Sequence, residues 1–158
     1  MQQEKTNVMR LLDQRKVPYT PHWYACPDGA LDGASVAALL GKDARTVFKT
    51  LVTRGASGKY FVFVVPAQGE LDLKAAAKAV QEKSIELIRQ AELLPLTGYV
   101  HGGCSPLGMK KQLTTLLDDS AQALETITVS AGRIGAQVEL SPCELCKLVR
   151  GRFAPVGK

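Results

Sequence analysis

Nowhere in these 158 residues is there an apolar run approaching the ~18 residues that a membrane-spanning helix needs. The opening stretch, Met1 to Lys16, is broken by charge and lacks the apolar core of a secretion signal. A soluble, cytoplasmic protein is therefore expected. Four cysteines (Cys26, Cys104, Cys143 and Cys146) are too few for a disulfide scaffold in a chain this long. The two histidines, His22 and His101, lie far apart and have neither metal-site nor triad spacing. GxSxG, HExxH and the phosphate-binding GxxxxGK[ST] pattern are all missing. No internal repeat, low-complexity run or Pro/Gly-rich linker divides the chain. One domain covering residues 1–158 is expected.

At 46% hydrophobic residues and a mean hydropathy of −0.01, the chain can bury a core. A net charge of +5 and a pI near 9.1 permit a polyanionic partner. Lys110, Lys111, Arg133, Lys147, Arg150 and Arg152 are candidate phosphate contacts, which would make binding salt-dependent. Cys143-Glu144-Leu145-Cys146 is a CxxC, and could be half a zinc site or a redox pair. No second CxxC or HxxxH completes a tetrahedral set. Ser141-Pro142-Cys143-Glu144 also fits a helix capping box with proline at the first helical position. That structural role is preferred, and no metal is expected.

Apolar spacing predicts a helix over 4–15, an extended segment from Pro18 to Tyr24, and a short helix from Gly33 to Leu40 closed by Gly41. Thr46–Thr53 and Lys59–Val65 read as a hairpin turned at residues 54–58. Asp72 caps a helix, Ser84–Ile88 is a short strand, and a short helix surrounds Gln90–Leu94. Thr126–Ser130 and Ala136–Leu140 are strands, and a last helix follows Ser141. This mixture points to an α+β fold, a sheet or partly open barrel, over a doubly wound parallel sheet.

Within the strand Thr46–Thr53, Lys49 interrupts Val47, Phe48, Leu51 and Val52. Side chains alternate faces along a strand, and both faces here are largely apolar. A lysine in that setting either snorkels to water or meets an anion, because an unpaired buried charge is costly. From Thr97 to Lys111 runs a glycine-rich loop containing Gly102, Gly103, Ser105, Pro106 and Gly108. Such a loop can bring backbone N–H donors close to an anion or acyl oxygen. Val129-Ser130-Ala131-Gly132-Arg133-Ile134-Gly135 sets a hydroxyl before glycines flanking an arginine. Cys104 could serve as a nucleophile, but no partner base is identifiable.

Four segments occur in order: FKTLV (Phe48–Val52), P-x-x-G-x-L-D-L-K (Pro66–Lys74), GY-x-x-GGCSP-x-GMKK (Gly98–Lys111) and VSAG-x-x-G (Val129–Gly135). Together they resemble the YbaK/EbsC family, free-standing relatives of the editing domain of bacterial prolyl-tRNA synthetases. The resemblance implies a mixed, partly open β-barrel flanked by helices. It implies hydrolysis of a mischarged aminoacyl-tRNA ester, most typically cysteine on the tRNA for proline, without metal or organic cofactor. Lys49 matches the family's essential lysine, followed by Thr50. Gly102, Gly103 and Ser105, with His101, Cys104 and Pro106 beside them, match the loop lining the aminoacyl pocket. Ser130 matches the serine after the strand, with Gly132 close by, and Tyr24 matches an N-terminal pocket tyrosine. In relatives that act on cysteine, the substrate's own thiol attacks its carbonyl, which fits the missing triad. Prolyl-tRNA synthetase is an implied delivery partner.

Three positions depart from the family pattern. His101 replaces an apolar or basic residue, Ala131 a glycine, and Gln137 an acidic residue. They bear on amino-acid specificity, leaving cysteine, alanine and serine as candidate substrates. The competing readings are a non-catalytic RNA- or nucleotide-binding module and a redox or zinc protein built on Cys143 and Cys146. Retention of Lys49 and both glycine loops favours the enzyme.

Overall fold

The computed structural model describes residues 4–25 and 33–158. Thr6 caps the first helix, α1 (Asn7–Gln14), its hydroxyl accepting the Met9 N–H, and Val8, Met9 and Leu12 form the buried stripe. β1 (Tyr19–Trp23) follows, then α2 (Gly33–Leu40), which ends at Gly41 with φ +66°. β2 (Phe48–Gly55) and β3 (Tyr60–Pro66) form the expected hairpin, with register pairing Lys49 to Val65. Asp72 caps α3 (Leu73–Ala79), its carboxylate accepting from the N–H groups of Lys74 and Ala75. β4 (Ile85–Leu87) and α4 (Gln90–Thr97) follow. β6 (Ile127–Arg133) and β7 (Ala136–Leu140) form a second hairpin, and α5 (Pro142–Leu148) starts at the Ser141 cap. Helix α4 runs three residues beyond the expected Leu94, and Gly98 at φ +86° closes it.

Two strands were not anticipated: β5 (Thr114–Asp118) and β8 (Arg152–Ala154). Both pair in parallel, β5 with β3 and β8 with β5. β5 is buried along nearly its whole length, so it shows no alternation, and β8 is too short to carry a period. The strands form two sheets, ordered β1-β7-β6 and β4-β2-β3-β5-β8. The sheets meet where Val47 bridges Thr128 in parallel, and they do not close into a barrel. The mixed α+β architecture is as expected, with helices packed on its faces.

β3 fills the centre. Phe61, Phe63 and Val65 point into one core with α3, Ile85 and Leu116, while Val62 and Val64 enter the clusters on the other face. A strand covered on both sides explains its continuous apolar sequence. The larger core joins α1 and α5 to the inner face of β6 and β7. Cys146 is buried in it, whereas Cys143 is exposed. Cys26 lies outside the described residues.

The chain's last residues are held by Asp118. Its buried carboxylate accepts from the N–H groups of Val156 (3.0 Å), Gly157 (2.7 Å) and Ser120 (3.3 Å) and from the Ser120 hydroxyl (2.5 Å). Among the described residues no cation pairs with it, so these donors alone compensate for the lost hydration of the charge. Asp118→Ala is expected to lower the unfolding free energy by about 3 kcal/mol, measured by urea denaturation. A change below about 0.5 kcal/mol would mean that water satisfies the same donors.

Candidate functional site

β4 pairs only with the end of β2, from Thr53 to Gly55. The preceding residues, Phe48 to Leu51, are therefore paired on the β3 side alone. Their free edge faces β6 across the gap between the sheets, and a cavity of about 330 Å³ occupies that gap. Lys49, Thr50 and Leu51 line it from β2, Ser130 and Gln137 from the second sheet, and Val36 from α2. Tyr24, Leu93, His101, Gly102 and Cys104 complete much of the wall.

Seven residues expected at the site thus converge from four separate segments: Tyr24, Lys49, Thr50, His101, Gly102, Cys104 and Ser130. Lys49 is half-buried, and its Nζ donates to the Gly69 carbonyl oxygen at 2.7 Å. It has no carboxylate partner among the described residues, so its charge is left for a ligand. The Thr50 hydroxyl is buried without a hydrogen-bond partner among those residues. An unmade hydrogen bond of that kind costs about 1–3 kcal/mol, which marks a position a ligand can satisfy. The Ser130 Oγ accepts the Gly132 N–H at 3.1 Å, which leaves its own proton free to donate.

Four expected site residues stand behind the wall. Gly103 packs against the backbone of Arg133 and Ile134, where an added Cβ would lie 3.1 Å from the Ile134 nitrogen. Its N–H is taken up by the Val100 carbonyl. Ser105 is fully buried, and its Oγ accepts from the Leu107 N–H, pinning the loop. Pro106 is buried beside it. Gly132 adopts φ +93°, and a Cβ there would meet the Tyr99 ring at 3.0 Å. These residues shape the cavity from behind instead of touching its contents. Gly102, at φ +88°, lines the cavity itself, and its N–H makes no hydrogen bond among the described residues.

Cys104 is 9% exposed, and burial pushes its thiol up to about 12 although the Thr97 hydroxyl pulls the other way. At neutral pH it is a thiol, not a nucleophilic thiolate. Gln137, 6% exposed, faces Ser130 on one neighbouring strand and His22 on the other. Its amide makes no hydrogen bond among the described residues, so it offers both a donor and an acceptor to the cavity. The apolar liners Val36, Val47, Ala67 and Leu93 were not anticipated, because they read as ordinary core or helix positions.

Next to Gln137 on the same face of β7 is Glu139. It accepts hydrogen bonds from Lys42 (2.5 Å) and Thr126 (2.5 Å) and pairs with His22 (2.9 Å). Lys42 follows α2, so this cluster ties the helix that covers the cavity to the sheet beneath it. His22 lies here and not among the cavity liners. Among the described residues no group of three or more His, Cys, Asp and Glu is arranged to hold a metal.

The chain belongs to the aminoacyl-tRNA editing domain family, whose model matches residues 29–148. It is also 46% identical over 154 residues to an Enterococcus faecalis protein named "Putative Cys-tRNA(Pro)/Cys-tRNA(Cys) deacylase EbsC". That match covers 98% of this chain and 94% of the relative. Solved structures share the fold, among them the following two. One is a hypothetical protein, at TM-score 0.86 and 24% identity, covering 96% of this chain and 99% of that one. The other is described as "a putative trans-editing enzyme for prolyl tRNA synthetase", at TM-score 0.81 and 22% identity, covering 98% and 99%.

Burial raises the Glu139 carboxyl, but its hydrogen bonds from Lys42, Thr126 and His22 prevail and hold it down at about 2, against an ordinary 4.5. A depressed carboxyl stabilises the fold fully above its unfolded value. That contribution disappears as pH falls through the folded value. Acid titration of stability is therefore expected to show an extra loss between about pH 4.5 and 2 in the wild type. Glu139→Gln should lack it, and equal slopes for the two proteins would overturn the assignment.

Proposed function

We propose that this protein removes a mischarged amino acid from tRNA, hydrolysing Cys-tRNA for proline in trans. The observation that carries the reading is Lys49, a cation without a carboxylate partner, held in a cavity beside two hydroxyls and a glycine loop. Its support is the family membership and the name of the 46% identical relative.

An aminoacyl ester is already activated, so positioning and charge stabilisation supply much of what catalysis requires. The Lys49 ammonium neutralises the phosphate of the terminal nucleotide or polarises the ester carbonyl. Ser130 and the Gly102 N–H are donors for the oxygen on which negative charge develops. Thr50 gains the hydrogen bond it lacks when substrate is present. Cys104 contributes shape, since its thiol stays protonated. The attacking group is the substrate's own sulfur. A C–S bond forms at the carbonyl carbon as the ester C–O bond breaks, and the thiol proton ends on the departing ribose oxygen. Water then opens the resulting cyclic thioester to free cysteine. Gln137, neutral and unpaired, faces this region and is the position where Cys is separated from Ala or Ser. Prolyl-tRNA synthetase is the proposed source of the mischarged tRNA.

The deciding experiment is deacylation of tRNA for proline charged with Cys, Ala, Ser or Pro. Rapid loss of the cysteinyl ester is expected, with a fall of at least about 10³-fold in Lys49→Ala. Thr50→Val should lower kcat/KM about tenfold while leaving Tm unchanged or raised, since it removes an unsatisfied hydroxyl. Cys104→Ala should retain the chemical step. A folded wild type that hydrolyses none of the four esters would leave an RNA-binding module as the reading.

A further inference from the structure

The cavity receives the esterified end of a nucleic acid, so the chain leading to that end must cross the cavity's rim. Two features meet there. Tyr24 and Gly102 are wall residues. The residue before Tyr24 is Trp23, and the one after Gly102 is Gly103, which abuts the backbone of Arg133. The Tyr24 N–H donates to Gly135 at 3.0 Å, locking the end of β1 to the β6–β7 turn. Trp23 and Arg133 both pair with Ala136, from opposite sides of β7, which brings them over one another. The guanidinium lies 5.5 Å from the centre of the indole ring.

Arg133 is exposed and forms no ion pair or side-chain hydrogen bond among the described residues. Its cation–π contact holds the guanidinium near the indole while its N–H donors make no hydrogen bond among the described residues. A cation that is held in place, unneutralised and planar suits a phosphate by its edge and a nucleobase by its face. Trp23 is half-buried, with its inner side packed on the core, so it acts as the fixed base of the stack.

We propose that Trp23 and Arg133 form the platform that holds the single-stranded nucleotides immediately upstream of the esterified adenosine. This rests on the deacylase reading for its biological meaning, but its physical claim is separable. The platform binds a short RNA by stacking and one phosphate contact, which tolerates different bases and weakens with salt. It gives the site a hold on tRNA outside the aminoacyl pocket and leaves the choice of amino acid to the cavity.

Trp23 is the only tryptophan in the chain, so its fluorescence reports the platform directly. The probe is the uncharged trinucleotide CCA. A saturable change in emission is expected, weakening as salt rises and lost in Arg133→Ala. This titration needs no catalysis, so it decides the proposal even if the protein hydrolyses no ester. In the active enzyme, Arg133→Ala should lower the ratio of kcat/KM for aminoacyl-tRNA to that for aminoacyl-adenosine about tenfold, chiefly through KM. Arg133→Lys should recover part of that loss. An unchanged ratio, or CCA binding indifferent to Arg133, would overturn the proposal.

Discussion

A strand edge without a neighbour leaves backbone N–H and C=O groups to be satisfied elsewhere, and the first half of β2 is such an edge, turned toward the second sheet. Everything at the candidate site depends on it. Had β4 run four residues further along β2, the gap between the sheets would be filled and Lys49 would face another strand. Instead the edge opens on a cavity, and both faces of β2 contribute to its wall. Lys49 and Leu51 come from the side that packs toward α3, and Phe48 and Thr50 from the other. The lysine is tolerated in an apolar strand because it sits at the margin of the core, where a carbonyl and open space receive it.

The surrounding layers hold this gap at a fixed width. β3, buried on both faces, anchors β2 from one side. The β6–β7 hairpin stands on the other, its turn locked to Tyr24 and to the glycine loop. Glu139 secures the cover through Lys42. Several glycines act in this framework and not on a ligand. Gly103 and Gly132 permit approaches that a Cβ would prevent.

Most elements were legible because their signals were local: the glycine-bearing turn at 54–58, the Asp72 and Ser141 caps, and the alternation in β7. β5 was not, because its partners β3 and β8 are distant in sequence and it is buried on both faces, so it has neither turn nor period to announce it. The site divides in the same way. Lys49 stood out as a charge in an apolar run, and the glycines stood out by density. Density alone could not separate Gly102, which lines the cavity, from Gly103, whose N–H is already used. The apolar wall residues carried no distinguishing mark. Gln137 was noted only as a departure from the family pattern, in place of an acidic residue, and that did not locate it in the cavity.

Burial keeps the Cys104 thiol protonated, which limits its reactivity toward anything that occupies the cavity. Were the proposed acyl ester to lie beside a thiolate, its acyl group could transfer onto the protein and leave a stalled thioester in place of a free site. With the thiol pushed up to about 12, it is almost wholly protonated at neutral pH. The wall can therefore use sulfur for its size and polarisability. The same chemistry makes this cysteine a poor target for peroxide and alkylating agents, so the cavity keeps its shape under oxidative conditions in which exposed thiols such as Cys143 are modified first.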